Sequence, residues 1–190
     1  MEQLILTVIL TSVPLIFAAS GELIAERSGV LNLGVEGMML MGAVSAFAVA
    51  MGSGSPVLGM FAGAFAGAIT AGIFAFFALG LATNQVATGL ALTIFGTGLS
   101  GLIGAPLVGQ AIDGLPRIHL PILADLPYLG TLLFQHDIMV YLAVFMVAMC
   151  AWVLNVTRIG LIIRAVGDNH DSAHALGYSV LGVRLLAVTF

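Results

Sequence analysis

The sequence predicts an all-α protein that crosses a membrane several times. Of its 190 residues, 61% are hydrophobic and only 7% are charged, and the mean hydropathy is +1.17. Soluble domains carry about a quarter charged residues. Several apolar runs reach the roughly 20 residues that a helix needs to span a hydrocarbon core. The alternation over about ten residues that is typical of membrane barrels is absent from the sequence.

Five segments fit membrane spans, and the start of a sixth lies near Val180. The five cover residues 3–25, 34–51, 56–82, 86–109 and 138–157. The first segment opens with Glu2 and has no basic region, so we interpret it as a retained span rather than a cleaved signal peptide.

Arginine positions predict the orientation, because short loops rich in Lys or Arg stay on the cytoplasmic side. Arg158, Arg164 and Arg184 surround the loop after the fifth span, whereas the loop over residues 110–137 has Arg117 beside three aspartates. We therefore expect the first of these loops inside and the second outside. Counting backwards places residues 52–56 outside, and it places residues 83–85 and 26–32 inside, unless the first hairpin is re-entrant.

Small residues recur at four-residue spacing along the third and fourth spans. Such stripes let helices approach closely where lipid provides no hydrophobic drive for association. We expect them to pack within one bundle, and a face shared with a second subunit is the alternative. The residues are Gly59, Gly63, Gly67, Ala71 and Ala75 in one span and Gly96, Ser100 and Gly104 in the other.

A polar cluster interrupts the apolar sequence between the first two spans, which predicts a broken or re-entrant element near residues 26–34. Its charged residues are costly in hydrocarbon unless they are paired, interfacial or beside water; they are Glu22, Glu26, Arg27 and Glu36. We expect Asn32 to cap a helix that starts near Gly34, with the positive helix end facing the break. Two interpretations remain open: a transport path beside the broken helix, or an ion pair of Glu26 or Glu22 with Arg27 that fixes an interfacial turn.

A second polar stretch, residues 157–180, predicts a short surface helix. Its body should run from Asp171 to Leu176, with Asn169 or Asp168 as the cap and Gly177 as the stop. A polar helix of two turns has little of its own chain to pack against. It is therefore a candidate contact for a cytoplasmic partner, and an ordinary solvated loop is the alternative.

The sequence argues against an enzyme. The stretch GLSG at 98–101 resembles the serine motif of rhomboid proteases, but no histidine is well placed to activate Ser100. The histidines fall in polar loops or at span ends: His119, His136, His170 and His174. The sequence has no phosphate-binding loop and no metal motif, so we predict no cofactor. The net charge of −4 argues against nucleic acid as a partner.

Three stretches together resemble the permease subunits of ABC importers, in the nucleoside branch that is related to simple-sugar and branched-chain amino-acid permeases. The stretches are ERSGVLNLGVEGMMLMGA, NQVATGLALTIFGTGLSG and TRIGLIIRAVGDNHDSAHALGYSVLGVRLLAV. They follow the order of the family and span nearly the whole chain. The resemblance implies one transmembrane permease domain over 1–190, a cytoplasmic coupling loop over 158–178, and a multi-pass location in a bacterial or archaeal cell membrane.

The resemblance also implies partners: a cytoplasmic ATPase subunit, a second permease subunit, an extracytoplasmic substrate-binding protein and the surrounding membrane lipid. The expected ATPase contacts are Gly167, Asp168, Asn169, Asp171, Ser172, Ala173, Ala175, Leu176 and Gly177. His170 replaces the proline that family members usually have, which makes the turn less rigid. Family members continue for several more spans, so we expect the chain to be a fragment or a truncated reading frame.

The predicted function is therefore translocation of a nucleoside-like or simple-sugar solute by alternating access, driven by a separate ATPase. Polar groups beside apolar spans can offer hydrogen bonds to a sugar or base, although they can equally serve as helix caps. The candidate pathway residues are Asn32, Glu36, Asn84, Gln85 and Thr88. The alternatives are a sugar or branched-chain amino-acid ABC permease, a gradient-driven carrier and a rhomboid-like protease.

Overall fold

A computed structural model describes residues 2–112, 114 and 137–190 of the chain. Its helices are α1 (Glu2–Arg27), α2 (Val35–Ser53), α3 (Pro56–Ala75), α4 (Gln85–Gly104), α5 (Ile138–Val156), α6 (Arg158–Asp168), α7 (His170–Ala175) and α8 (Val180–Thr189). A π-helical turn, Phe76–Gly80, extends α3, and a 3-10 turn, Ala105–Leu107, extends α4. The loop that was expected outside lies almost wholly beyond the described residues, as do Arg117, His119 and His136.

Five helices in the described ranges, α1 to α5, are long and apolar enough to cross a membrane. This confirms the predicted polytopic all-α fold. Their outward faces carry many large apolar side chains, among them Phe65, Ile94 and Trp152, that are exposed in the isolated chain. Such faces suit helices surrounded by acyl chains, since all backbone hydrogen bonds of a helix are satisfied within it.

Helix α6 was not predicted from the sequence, which indicated only one short helix between the fifth and sixth spans. Thr157 caps it, with its hydroxyl oxygen accepting from Gly160 N at 3.2 Å. Its apolar residues fall at helical spacing, and this was the missed signal: Ile159, Ile162, Ile163 and Val166. Val166 is fully buried, and Ile163 packs in a cluster with Ile24 and Leu154, so α6 lies against α1 and α5.

Helix α2 lies between α3 and α4 in close backbone contact with both. A Cβ atom on Gly59 would lie 2.5 Å from Ala46 O, and one on Gly96 would lie 2.6 Å from Gly37 Cα. These glycines allow the helices to touch, which confirms that this part of the small-residue stripe packs within the bundle. Gly67 differs, because nothing lies within 4 Å of its Cβ position.

Three polar segments lie together at one end of the bundle: residues 28–34, 81–84 and 157–179. Leu31 N donates to Gln85 Oε1 at 2.8 Å, and Arg184 Nε donates to Ser28 O at 3.1 Å. The four arginines within the described ranges lie in or near these segments: Arg158 and Arg164 are within residues 157–179, Arg27 precedes residue 28, and Arg184 follows residue 179 by five positions. This grouping agrees with the expectation that residues 26–32, residues 83–85 and the coupling loop share one side of the membrane.

The contact between α2 and α4 predicts an asymmetric response to added side-chain volume. We expect Gly96→Val to lower the free energy of unfolding by about 1–3 kcal/mol, because its methyl groups meet the backbone of α2. The matched control Gly98→Val, half a turn away with nothing near its Cβ position, should cost less than about 0.5 kcal/mol. Thermal unfolding in detergent measures both, and equal losses would contradict the assigned packing.

Candidate functional site

The candidate site is built around the α1–α2 connection, residues 28–34, where the chain leaves one helix and enters the next. Ser28, Val30 and Asn32 are buried within this connection. Backbone N–H and C=O groups that are buried away from water need hydrogen-bond partners, and an apolar bundle supplies few of them. The hydrogen bonds that these backbone groups make determine the geometry of the site.

The first half of the connection closes α1 through a Schellman motif. Gly29 has the positive φ of 82° that this motif requires. Val30 N donates to Ala25 O at 3.1 Å, and Gly29 N donates to Glu26 O at 2.9 Å. Ser28 Oγ adds a bond of 2.7 Å to Ala25 O. The end of α1 is therefore sealed by its own last turn.

The second half of the connection is held by α4. Leu31 N donates to Gln85 Oε1, as noted above, and Thr93 Oγ1 donates to Leu33 O at 2.9 Å. A Cβ atom on Gly89 would lie 2.8 Å from Leu33 N. Close approach through a glycine and two side-chain hydrogen bonds thus fix this irregular backbone against α4.

Asn32 connects the break to Glu22 on α1. Asn32 N donates to Glu22 Oε1 at 3.2 Å, and Asn32 Oδ1 accepts from Gly34 N at 3.0 Å. The second bond is an Asx turn that precedes the helix. Asn32 was predicted to be the N-cap residue of α2, and this was wrong. The helix begins at Val35 and its N-cap residue is Gly34, which has no side chain to make a cap hydrogen bond.

The predicted coupling segment, residues 158–178, touches the same connection from its other side. A Cβ atom on Gly167, in the last turn of α6, would overlap Arg27 O and lie 3.2 Å from Gly29 N. Arg184 of α8 donates to Ser28 O and lies beside Gly29. The end of α6 and the start of α8 are therefore in direct contact with the end of α1.

The predicted pathway residues occupy three different environments. Asn32 is part of the α1–α2 connection, and Gln85 accepts a hydrogen bond from Leu31 N of the same connection. Asn84 Oδ1 caps α4 by accepting from Ala87 N at 3.0 Å, and Thr88 Oγ1 lies 2.8 Å from Thr83 Oγ1, so both stabilise the start of α4. Glu36 is exposed in the first turn of α2. A pathway role for these residues stays a prediction.

The predicted pair of Glu26 and Arg27 does not form within the described part of the chain. Both side chains are exposed, and no ion pair joins them. Neighbouring residues on a helix point about 100° apart, so adjacent charges do not face each other. Glu22, the other carboxylate that was considered for this pair, instead accepts from the backbone of Asn32.

Glu22 and Asn32 line a cavity of about 310 Å³ between α1, α2, α3 and the end of α8, called here the Glu22 cavity. Its walls are otherwise mostly small and apolar, and they include Gly42 and Gly67. Among the described residues, Glu22 Oε2 is buried and has no hydrogen-bond partner. From the sequence, Glu22 was predicted only as a costly charge or ion-pair partner and not as part of a cavity; the available signal was a carboxylate inside an apolar span.

Helix α7 confirms the predicted short polar helix, shifted by one residue toward the N-terminus. Asn169 Oδ1 accepts from Ser172 N at 3.0 Å, as an N-cap does. Gly177 ends the turn with a φ of 87°, and its N–H donates to His174 O at 2.9 Å. Local sequence chemistry alone is therefore sufficient to define this helix.

The coupling segment exposes a continuous surface. Ala173 is buried, Gly167 is half-buried against α1, and Leu176 is 76% exposed. The remaining predicted contact residues are all exposed: Asp168, Asn169, Asp171, Ser172, Ala175 and Gly177. Between Gly167 and Gly177 this surface is mainly polar, and Leu176 is the large apolar side chain exposed there.

The protease alternative gains no support from the geometry. Ser100 Oγ donates to Thr97 O at 3.1 Å within its own helix. Of the histidines, the structure describes His170 and His174, which belong to α7, and neither is hydrogen bonded to Ser100. Within the described ranges, Ser100 therefore has the contacts of a packing residue.

The fold defines a multi-pass helical protein of the cell membrane. The chain belongs to the family described as the permease component of the branched-chain amino acid transport system, whose model matches residues 4–190. No solved structure matches the chain.

Three relatives are similar over most of the chain. A Haloferax volcanii protein provisionally named as a glucose ABC transporter permease, TsgC13, is 41% identical over 92% of this chain and 54% of its own length. The guanosine ABC transporter permease NupQ of Bacillus subtilis is 32% identical over 92% and 59%. The nucleoside ABC transporter permease NupC of Lactococcus lactis is 29% identical over 99% and 63%. The chain thus spans between half and two thirds of these relatives.

The Gln85 contact gives a test of the connection. In Gln85→Leu, the Leu31 N–H loses its side-chain acceptor, and because Leu31 is partly exposed we expect a cost of only about 0.5–1.5 kcal/mol, with faster hydrogen exchange at Leu31. Gln85→Glu keeps an oxygen at the same place and should retain protection of that amide. Hydrogen exchange read out by mass spectrometry compares the two variants. Identical protection in both would show that Gln85 does not hold the connection.

Proposed function

We propose that this chain is the membrane-spanning subunit of an ABC importer for a nucleoside-like or simple-sugar solute, driven by a separate ATPase. Family membership and the names of the three relatives support the transporter class. The observation that carries the proposal is the backbone contact between Gly167 of the coupling segment and the end of α1. This contact joins the exposed surface of residues 167–177, which is suited to a motor, to the helix that carries Glu22 and lines the Glu22 cavity.

The mechanism follows from this chain of contacts. Closure of the ATPase pair on ATP would displace α7 and the last turn of α6. Because Gly167 has no side chain, its backbone lies directly against the α1–α2 connection, so this displacement would be transmitted to the connection. The hydrogen bond from Arg184 to Ser28 O would keep α8 in contact with the same connection. Asn32, on the far side of the connection, holds Glu22 of the cavity. The helices would then rock so that the pathway opens alternately to each side.

Each partner has a suitable surface. The ATPase would dock on the mainly polar surface from Gly167 to Gly177, with the exposed Leu176 entering an apolar groove, as anchor side chains do at interfaces. The clustering of arginines supports a cytoplasmic location for this end. A second permease subunit would pack on the exposed apolar faces, and an extracytoplasmic binding protein would deliver the solute at the opposite end.

A gradient-driven carrier is the second candidate, and the unpartnered Glu22 oxygen inside a span is the observation that favours it. The two mechanisms differ in their energy source. Uptake that stops on ATP depletion but persists after the proton and sodium gradients are collapsed supports the ABC importer. The reverse pattern would favour the carrier.

Substitutions on α7 test the coupling surface. We expect Asp171→Trp and Ala175→Trp to weaken copurification of the ATPase by at least about tenfold and to abolish uptake, because both positions are exposed on the proposed interface. Membrane insertion should be unchanged.

Ser53→Trp is the control for ATPase binding, since Ser53 lies at the exposed turn between α2 and α3. It should leave copurification of the ATPase at the level of the unmodified chain. Normal ATPase binding and uptake by both α7 variants would remove the coupling assignment.

A further inference from the structure

We infer that a second cavity, at the polar end of the bundle, binds the phosphate monoester group of a small molecule. The cavity, called here the Arg184 cavity, lies between the π-helical turn, residues 81–84, α7 and the start of α8. Its volume of about 550 Å³ is within the range of small-molecule sites. This site goes beyond the proposed function, because its ligand is not the transported solute.

The first argument is that Arg184 supplies a positive charge without a counter-charge in the described ranges. Its Nε donates to Ser28 O at 3.1 Å, which fixes the side chain. Its two terminal nitrogens have no hydrogen-bond or ion-pair partner among the described residues. Solvent can reach them, because Glu22 Oε2 is the only buried side-chain atom without a partner in those ranges. An oriented guanidinium group with free N–H groups is well suited to bind phosphate.

The second argument is that the Arg184 cavity offers further donors and no carboxylate. Ser179 Oγ accepts from Gly182 N at 3.2 Å, and its own O–H has no acceptor in the described structure. Gln85 uses Oε1 for Leu31 N, so its amide Nε2 is left to donate. His174 is an exposed lining residue. No Asp or Glu is among the described residues that line the cavity.

A phosphate monoester fits this set of donors better than a carboxylate does. It carries a charge of about −1.5 to −2 near pH 7 and three strong acceptor oxygens, whereas a carboxylate carries one charge on two oxygens. The cavity is also larger than a phosphate group requires. Its remaining walls are apolar or small and would contact the rest of the molecule; they include Ala78, Leu79, Val180 and Leu181.

The Arg184 cavity shares a residue with the contacts of the α1–α2 connection. Arg184 bonds Ser28 O and lies beside Gly29, against which Gly167 also packs. A ligand on the terminal nitrogens of Arg184 would therefore act on the residue that joins α8 to this connection. Because coupling between two sites is reciprocal, displacement of the connection would change the affinity for the ligand.

Ala82 provides a test that leaves Arg184 in place. It lines the cavity, is exposed and has a φ of 52°, a conformation in which Asp and Asn are enriched. Ala82→Asp would place a carboxylate in the cavity, where it competes with phosphate for Arg184 and repels it. Ala82→Asn is the matched control, because it has nearly the same shape and no charge.

The measurement is equilibrium binding to the full chain in phosphatidylcholine nanodiscs and phosphate-free buffer. The probes are glucose 6-phosphate and guanosine 5′-monophosphate, with glucose and guanosine as their uncharged counterparts. We expect at least one phosphorylated probe to bind about tenfold or more tightly than its counterpart. Ala82→Asp should weaken that binding by about tenfold or more, and Ala82→Asn by less than about twofold.

A second pair of variants tests Arg184 itself. Arg184→Gln should weaken binding of the same probe by about tenfold or more. Arg158→Gln removes the same charge from an exposed residue of α6 that does not line the cavity, and it should change binding by less than about twofold. The thermal stability of each variant shows whether it folds.

Phosphatidic acid carries the same monoester group within the membrane, so nanodiscs that contain it distinguish the source of the ligand. Retention of phosphatidic acid by the unmodified chain and by Ala82→Asn, but not by Ala82→Asp, would assign the group to a lipid. Binding of a soluble probe with the same pattern would assign it to a metabolite. Either result supports the inference.

Three results would overturn the inference. The first is that no phosphorylated probe and no phosphatidic acid binds. The second is equal weakening by Ala82→Asp and Ala82→Asn. The third is weaker copurification of the ATPase with Ala82→Asp in the absence of phosphate binding, which would assign the cavity to an acidic side chain of that partner. The proposed function is tested separately, by the energy source of uptake.

Discussion

The irregular backbone of the α1–α2 connection is the constraint on which the rest of this structure depends. Ser28, Val30 and Asn32 are buried among apolar helices, where backbone N–H and C=O groups find few partners, so side chains supply several of them. Four polar residues do so from three helices: Glu22, Gln85, Thr93 and Arg184. This explains why a chain with so few polar side chains has them here. They make an irregular backbone possible where a continuous helix would need no help.

The glycine contacts follow from the same constraint. Side chains of α4 can reach the connection only if α4 lies close to it, and Gly89 and Gly96 permit that approach. Gly167 does the same for α6. Hydrogen bonds and glycine packing are therefore both required. Without the hydrogen bonds the backbone of the connection would lack partners, and without the glycines the helices would lie too far away to supply them. The consequence is mechanical, since none of these helices can shift without changing a contact of residues 28–34.

Local sequence patterns predicted the features that depend on local chemistry. Span length predicted the five membrane helices, and cap residues predicted α7 through Asn169 and Gly177. The partners of the connection could not be predicted this way, because Leu31 with Gln85 and Ser28 with Arg184 are joined only by tertiary packing across long sequence separations. Helix α6 was a different case, since the amphipathic spacing of Ile159, Ile162, Ile163 and Val166 is present in the sequence and is sufficient to predict a helix there. The predicted ion pair between Glu26 and Arg27 does not form, because adjacent residues on a helix do not face each other.

Glu22 ties the α1–α2 connection to the body of α1. Its Oε1 accepts from Asn32 N, whereas Oε2 is buried without a hydrogen-bond partner within the described ranges. The same connection contacts Gly167 at its first residues. Coupling between two sites is reciprocal. If a motor displaced Gly167 and this changed the geometry at Asn32, any event that reorients the Glu22 carboxyl group would change the free energy of that displacement by the same amount.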